Sequence, residues 1–151
     1  MAKPKTASWT KLLIMVGDGG SPTETFAAPC GLNTKGINFG AETADVTVPD
    51  CNDPSLPAWI ERVVRSLSGT VPGSGLLALE ALPVWRAWFF SGAPRNCRIK
   101  IDVPLADNGG HFAGRFVITT FNIGAAEDDG KIQVEIELQS DGEVIWVPAA
   151  S

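Results

Sequence analysis

Apolar and polar residues alternate without a break over residues 131–139. Successive side chains of a β-strand point to opposite faces, so this pattern predicts a strand with one buried face and one wet face. The apolar face would carry Ile132, Val134, Ile136 and Leu138, and the polar face Lys131, Gln133, Glu135, Glu137 and Gln139. Such a clean alternation favours a structural wall over an active site.

The same alternation recurs along most of the chain and predicts a mainly β protein. Strands are predicted over residues 8–16, 24–29, 32–39, 42–48, 62–71, 95–104, 112–124, 131–139 and 143–147. The 16 glycines and 11 prolines supply the many turns that such a fold needs.

One segment, residues 76–90, predicts a helix that flanks the sheet. Its leucines, tryptophans and phenylalanines are dense enough to cover more than one helix face. Pro83 must end or kink the first part of it, because proline removes a backbone donor and clashes with the preceding turn. We therefore predict a β-sandwich or partly closed barrel with one flanking α-helix.

Two segments lack any regular pattern. Residues 1–7 contain two lysines and a proline and are predicted to be a mobile N-terminal arm. Residues 49–61 combine turn-forming residues with the apolar pair Trp59 and Ile60. A polar loop that ends on a large apolar pair is either folded back on the core or held by a neighbour.

Length and charge exclude several function classes. With 151 residues the chain is predicted to be one domain. Its net charge of −5 means that it is not drawn to nucleic acid or to anionic lipid. The apolar run at residues 12–16 is far too short to cross a membrane. Cys30, Cys51 and Cys97 lie far apart, and no signal-type segment opens the chain, which favours reduced thiols made in a cytoplasm.

The residue types that could carry chemistry have simpler interpretations. His111 is the only histidine and lies beside a Gly-Gly turn, so a solvated loop position is favoured over a catalytic triad. Glu135 and Glu137 could form a glycosidase pair, but two acids two residues apart are more often a charged surface. Trp85 and Trp88 suit a core better than a sugar platform. We predict no catalytic residue, no metal site and no cofactor.

Several stretches occur in a characteristic order. They are the opening strand through Gly17-Asp18, residues 42–47 before the irregular loop, residues 65–70 before the single helix, and residues 116–125 followed by 130–140 and a short closing strand. Together they resemble the major tail tube proteins of long-tailed phages and the similar tubes of gene transfer agents. The resemblance covers nearly the whole chain.

The resemblance implies a structural subunit that assembles into hexameric rings, which stack into a hollow tail tube. Such a tube conducts DNA from the capsid to the host cell without binding it specifically, and acidic side chains in its channel would repel phosphate. The resemblance also implies tape-measure, tail terminator and distal tail proteins as partners. It implies a location in the virion tail after synthesis in the host cytoplasm.

Two polar strand faces are candidates for the channel wall, although an outer surface fits them about as well. The candidate lumen residues are Thr43, Asp45, Thr47, Gln133, Glu135, Glu137 and Gln139. The loop at residues 49–61 is the candidate assembly loop. The candidate contacts between subunits are Asp50, Asn52, Asp53, Leu56, Trp59, Ile60 and Val147.

Three alternatives stay open from the sequence. One is a carbohydrate-binding or adhesin-like β-sandwich, which an exposed aromatic patch and monomeric behaviour would favour. Another is the tube protein of a contractile injection device, which would share the fold. The third is a small hydrolase that uses two carboxylates in one cleft.

Overall fold

Nine antiparallel strands form one continuous sheet in the described part of the chain. A computed structural model describes residues 3–18, 24–29, 31–125, 127 and 130–150. The strands are β1 (Leu12–Gly17), β2 (Phe26–Ala27), β3 (Leu32–Lys35), β4 (Asn38–Thr47), β5 (Ile60–Leu76), β6 (Arg95–Ile101), β7 (Gly110–Ala125), β8 (Ile132–Ser140) and β9 (Ile145–Pro148). One α-helix, α1 (Leu82–Ser91), and two short 3-10 turns, Trp9–Lys11 and Leu105–Asp107, complete the described elements.

The sheet order is β2-β1-β6-β7-β8-β5-β3, with β4 added to β5 and β9 added to β7. Two long strands exchange partners along their length. β7 pairs with β6 and β9 near its start and with β8 after Phe116, while β5 pairs with β4 before Thr70 and with β8 after it. The buried residues of both halves belong to one core cluster, so the sheet curls over itself. It remains open, because β2 and β3 end the hydrogen-bonded order.

Helix α1 covers the core with two stacked tryptophans. Trp85 and Trp88 are 1% and 0% exposed, and their ring centroids lie 6.1 Å apart. The indole nitrogen of Trp88 donates to the carbonyl of Ala93 at 3.0 Å, so its polar atom is satisfied. The helix ends at Gly92, whose φ of 67° suits glycine. These tryptophans are core residues, which agrees with the interpretation preferred from sequence.

The mainly β fold with one helix is confirmed, but the predicted start of the helix at residue 76 is wrong. Strand β5 continues through the Pro-Gly-Ser-Gly stretch to Leu76, and the helix begins at Leu82. Pairing with β3 and β8 on both sides holds this stretch extended. Pro83 lies in the first helical turn, where a missing N–H leaves no bond unmade, so it starts the helix without kinking it.

Other sequence-based boundaries also shift. The strand predicted over residues 32–39 is divided between β3 and β4, because β4 takes its register from β5 beginning at Asn38. In β8, Val134, Ile136 and Leu138 are buried as predicted. Ile132 is 45% exposed, because it pairs with Ala125 at the exposed end of the β7–β8 hairpin. Residues 19–23, 126 and 128–129, which fall in the gaps between predicted strands, lie outside the described residues.

None of the helices in the described segments is long and apolar enough to cross a lipid bilayer.

The packing of α1 predicts a large cost for removing Trp88. We expect Trp88→Ala to lower the free energy of unfolding by about 3–5 kcal/mol, because it removes a fully buried ring and leaves a cavity. The matched control is Phe90→Ala on the same helix, where the side chain is 76% exposed. That change should cost less than about 1 kcal/mol. Denaturant unfolding of the monomer measures both, and similar losses would contradict the packing described here.

Candidate functional site

A two-stranded ribbon extends from the sheet beyond the core. We call it the arm: β4, the first half of β5 and the loop between them, residues 38–70. Its ladder runs from the Asn38–Thr70 pair to the Thr47–Ile60 pair. Every residue from Ile60 to Ser68 is exposed. A two-stranded ribbon is marginally stable in water by itself, and this one is anchored to the body only at its base, where β5 continues into the sheet.

One side of the arm is largely apolar. This apolar arm face carries the β4 side chains at alternate positions from Phe39 to Thr47, together with their β5 partners. Leu67 is 78% exposed, and Val64 and Ile60 are each 56% exposed. Phe39 contacts Phe112 of the body, with ring centroids 5.0 Å apart. Beyond that contact, no described residue of the same chain covers this face.

The predicted lumen residues Thr43, Asp45 and Thr47 lie on this apolar arm face. Their cross-strand partners are Val64, Arg62 and Ile60. Asp45 is not a free charge, because Arg62 Nε donates to its carboxylate at 3.3 Å. These three residues therefore share a face with the apolar Val64 and Ile60 and with Arg62, which their own strand pattern did not reveal.

The other predicted lumen residues lie on a different surface. Gln133, Glu135, Glu137 and Gln139 project from β8 on the side away from the core. Glu135 and Gln139 are exposed, while Gln133 and Glu137 are half-buried. Most of their cross-strand neighbours on β5 and β7 are small or polar, and two, Leu76 and Val117, are apolar. The small or polar ones are Thr70, Pro72, Ser74, Thr120, Asn122 and Gly124. We call this surface the polar sheet face.

Backbone register joins the polar sheet face to the second side of the arm. Thr70 pairs with Gln139 on one edge and with Asn38 on the other, so these three side chains share a face. Alternation along β4 then places Glu42 on the same face, where Ser66 Oγ donates to its carboxylate at 3.3 Å. The structure thus divides the predicted lumen set between opposite faces. The residues that sequence reasoning missed are Asn38, Glu42, Ser66, Ser68, Thr70, Thr120 and Asn122.

The loop at the tip of the arm is held by its own aspartates. Asp50 Oδ1 accepts from the backbone N–H groups of Asn52 at 2.7 Å and Asp53 at 3.3 Å. Asp53 Oδ1 accepts from the backbone and the hydroxyl of Ser55. Short side chains that bond to nearby backbone in this way stabilise turns.

The apolar residues of this loop are not folded back on the core. Trp59 is 90% exposed and Leu56 is 50% exposed. Of the two interpretations open from sequence, the structure excludes the first, a loop folded back on the core. Val147, the remaining predicted contact, is half-buried in β9 opposite His111. It lies on the body, apart from the loop residues in the fold.

The groups that could carry chemistry are scattered. The described residues contain no cluster of three or more metal-ligating side chains. Cys97 is buried, and burial raises the pKa of its thiol to about 12. His111 lies in β7 opposite Lys100, and its pKa is lowered first by burial and then by Arg98 and Lys100. Cys51 is exposed in the tip loop, and Cys30 lies outside the described residues.

The family comparison agrees with a structural role for these surfaces. The model of the phage tail tube protein family matches residues 6–145. The chain belongs to the phage tail tube protein family. It is therefore a structural tail tube subunit of the virion, as the resemblance in the sequence indicated. Comparison with curated protein sequences gives no significant match.

Solved tail structures share the fold of this tail tube protein. A chain from the tail of an empty gene transfer agent particle, computed with C6 symmetry, is 25% identical, with a TM-score of 0.78 and coverage of 94% of this chain and 99% of that one. A chain from the virion of a native gene transfer agent particle is 23% identical, with a TM-score of 0.74 and the same coverage. The SPP1 tail tube is 10% identical, with a TM-score of 0.70 and coverage of 97% and 81%.

The two described cysteines should differ sharply in reactivity. The thiolate is the nucleophile, so Cys97, with a pKa raised to about 12, is expected to resist a maleimide at pH 8 in the folded protein. Cys51 should be labelled rapidly because it is exposed. Peptide mapping by mass spectrometry before and after denaturation measures both. Labelling of Cys97 at a rate within about tenfold of Cys51 would contradict the buried position.

Proposed function

We propose that six copies of this tail tube protein form a ring, and that rings stack into a hollow tube that conducts DNA from capsid to host cell. The observation that carries the proposal is the arm, a long ribbon that its own subunit leaves uncovered. The sixfold symmetry of the similar gene transfer agent tail supports the number of subunits. In a ring, a neighbour can cover the apolar arm face and pair with free strand edges.

We assign the polar sheet face to the channel. Its strands bury their other side in the core, so this side can stay wet while the core remains covered. It carries Glu42, Glu135 and Glu137 and small polar residues between them. Carboxylates repel DNA phosphates, and salt limits that repulsion to about 8 Å at physiological ionic strength. Such a wall lets DNA slide without specific binding.

Thr43, Asp45 and Thr47 take a different role in this arrangement. Because they lie among Ile60, Val64 and Leu67, we assign them to the contact between subunits within a ring. The loop at residues 49–61 then reaches an adjacent ring, with Trp59 as its apolar anchor. Residues 1–7 and Val147 are further contacts with neighbours.

Membership in the family supports the remaining parts of the proposal. The subunit forms no catalytic centre and uses no cofactor, no metal and no membrane. Its other partners are the tape-measure, tail terminator and distal tail proteins, and it is made in the cytoplasm of the host bacterium. The whole chain acts as one tail tube domain.

Electron microscopy of the purified protein tests the assembly. Negative-stain images at several concentrations, together with light scattering, should show rings and hollow tubes that grow with concentration. A strictly monomeric protein at every concentration would overturn the proposal and favour a recognition module instead.

Trp59 should contribute to polymerisation more than to the stability of the monomer. We expect Trp59→Ala to raise the concentration needed for tubes at least about tenfold, because a hot-spot tryptophan contributes about 2 kcal/mol or more at an interface. The melting temperature of the monomer should change by less than about 3 °C, since the side chain is 90% exposed. The matched control is Trp9→Ala, which removes another exposed tryptophan outside the arm. Equal losses of stability and polymerisation for Trp59→Ala would contradict its role.

Charge reversal separates the channel face from the contact face. The double variant Glu135→Lys with Glu137→Lys should still form tubes, because these side chains face water. Its tubes should retain short duplex DNA at low salt and release it as salt rises, whereas wild-type tubes retain none.

The comparison variant Thr43→Lys with Thr47→Lys adds the same charges on the apolar arm face. We expect it to lose tube formation, because it places two cations in the contact between subunits. Electron microscopy and a DNA retention assay on a filter measure both variants. Tubes from the second pair and none from the first would reverse the assignment of the two faces.

A further inference from the structure

A basic groove lies on the body, outside the surfaces assigned above. It has a volume of ≈ 670 Å³ and is formed by β1, β6, the start of β7 and the segment after β9. Its charged lining is Lys11, Arg98, Lys100 and Asp102, His111 adds a polar ring, and the apolar lining includes Met15, Pro104 and Pro148. None of the lining residues comes from the arm.

Positive charge in this groove is only partly compensated. Lys100 Nζ lies 3.6 Å from Asp102, the one carboxylate of the lining. Arg98 stacks over the ring of Phe26 at 3.9 Å, a cation–π contact. The pKa of His111 agrees with this, since burial lowers it first and Arg98 and Lys100 lower it further.

The tip of the arm carries the complementary charge and shape. Residues 38–70 contain five carboxylates and two arginines, so three of the five net negative charges of the chain lie in the arm. The hydrogen bonds of Asp50 and Asp53 within the loop use Oδ1, which leaves Oδ2 of each to accept from an outside cation. Leu56 and Trp59 offer exposed apolar surface beside them.

We propose that the tip loop of one copy docks in the basic groove of a second copy, with Asp50 and Asp53 facing Arg98 and Lys100. This rests on the proposed tube and names the surface that receives the loop. The contact joins two different surfaces, so each copy still offers a free loop and a free groove. Repeated heterologous contacts of this kind propagate an open stack, as a tube requires.

A disulfide trap tests the docking directly, because Cys51 already lies between Asp50 and Asn52. His111→Cys places a thiol in the groove without removing a lysine or arginine. In assembled tubes, mild oxidation should give a ladder of dimers and higher oligomers on a non-reducing gel, since bonded cysteines need Cα atoms within about 7 Å. The ladder should vanish when Cys51→Ser is added.

The matched control is Thr120→Cys, which places a thiol on the same strand but on the polar sheet face. It should give no ladder above the wild-type background. If the wild-type protein forms tubes but His111→Cys gives no more crosslinking than Thr120→Cys, the docking alone is overturned. A wild-type protein that forms no tubes would overturn the assembly itself, so the two failures are distinguishable.

Charge exchange gives a second, independent test. Asp50→Lys with Asp53→Lys, or Arg98→Glu with Lys100→Glu, should each raise the concentration needed for tubes at least about tenfold, because like charges then meet at the contact. Combining the four changes should recover most of the loss. Circular dichroism confirms that each variant is folded, and Lys131→Glu on the β7–β8 hairpin controls for net charge. Unimpaired tubes from either reversed pair would overturn the proposal.

Discussion

The backbone hydrogen bonding of β5 is the constraint on which the rest of the structure depends. Its second half lies between β8 and β3 in the body, and its first half leaves the body paired, among the described strands, with β4 alone. Since one strand runs through both, the direction and the facing of the arm are set by the sheet and not by a flexible hinge. A one-residue change of register at Thr70 would exchange the polar and apolar faces of the arm.

This continuity explains how a small subunit can be both stable and able to assemble. The core is complete within the chain, with Trp85, Trp88 and Phe116 fully buried and no buried polar or charged residue among those described. The arm adds nothing to that core and exposes apolar side chains instead. In the proposed tube those side chains are buried only on contact with other copies, so the free energy released there drives assembly and not folding.

The charges follow the same division. Carboxylates occupy the polar sheet face and the tip loop, whereas Arg98, Lys100 and Lys11 gather in the basic groove of the body. Four ion pairs are formed among the described residues, all of them exposed, and exposed pairs contribute little to stability. The surface electrostatics of this protein therefore bear on its partners more than on its fold.

The sequence by itself determined the elements with strong local patterns. The alternation of β8, the density of apolar residues in α1 and the irregular loop before Trp59 were all readable, because side-chain periodicity and turn chemistry are local properties. Family membership could be recognised for the same reason, because the order of these strands, the loop and the helix along the chain resembles that of the family. The start of α1 could not be predicted from the sequence, because β3 and β8 hold residues 72–76 in a strand although their composition favours a turn.

Only the tertiary structure decided which polar residues share a surface. Thr43, Asp45 and Thr47 alternate as cleanly as Glu135 and Glu137, yet the two sets lie on opposite faces. The alternation shows that a strand has two faces, but not which of them lies on the same sheet surface as a given face of a strand far away in the sequence. That relation is set by cross-strand register between β4, β5 and β8, and it belongs to pairs of residues far apart in the chain.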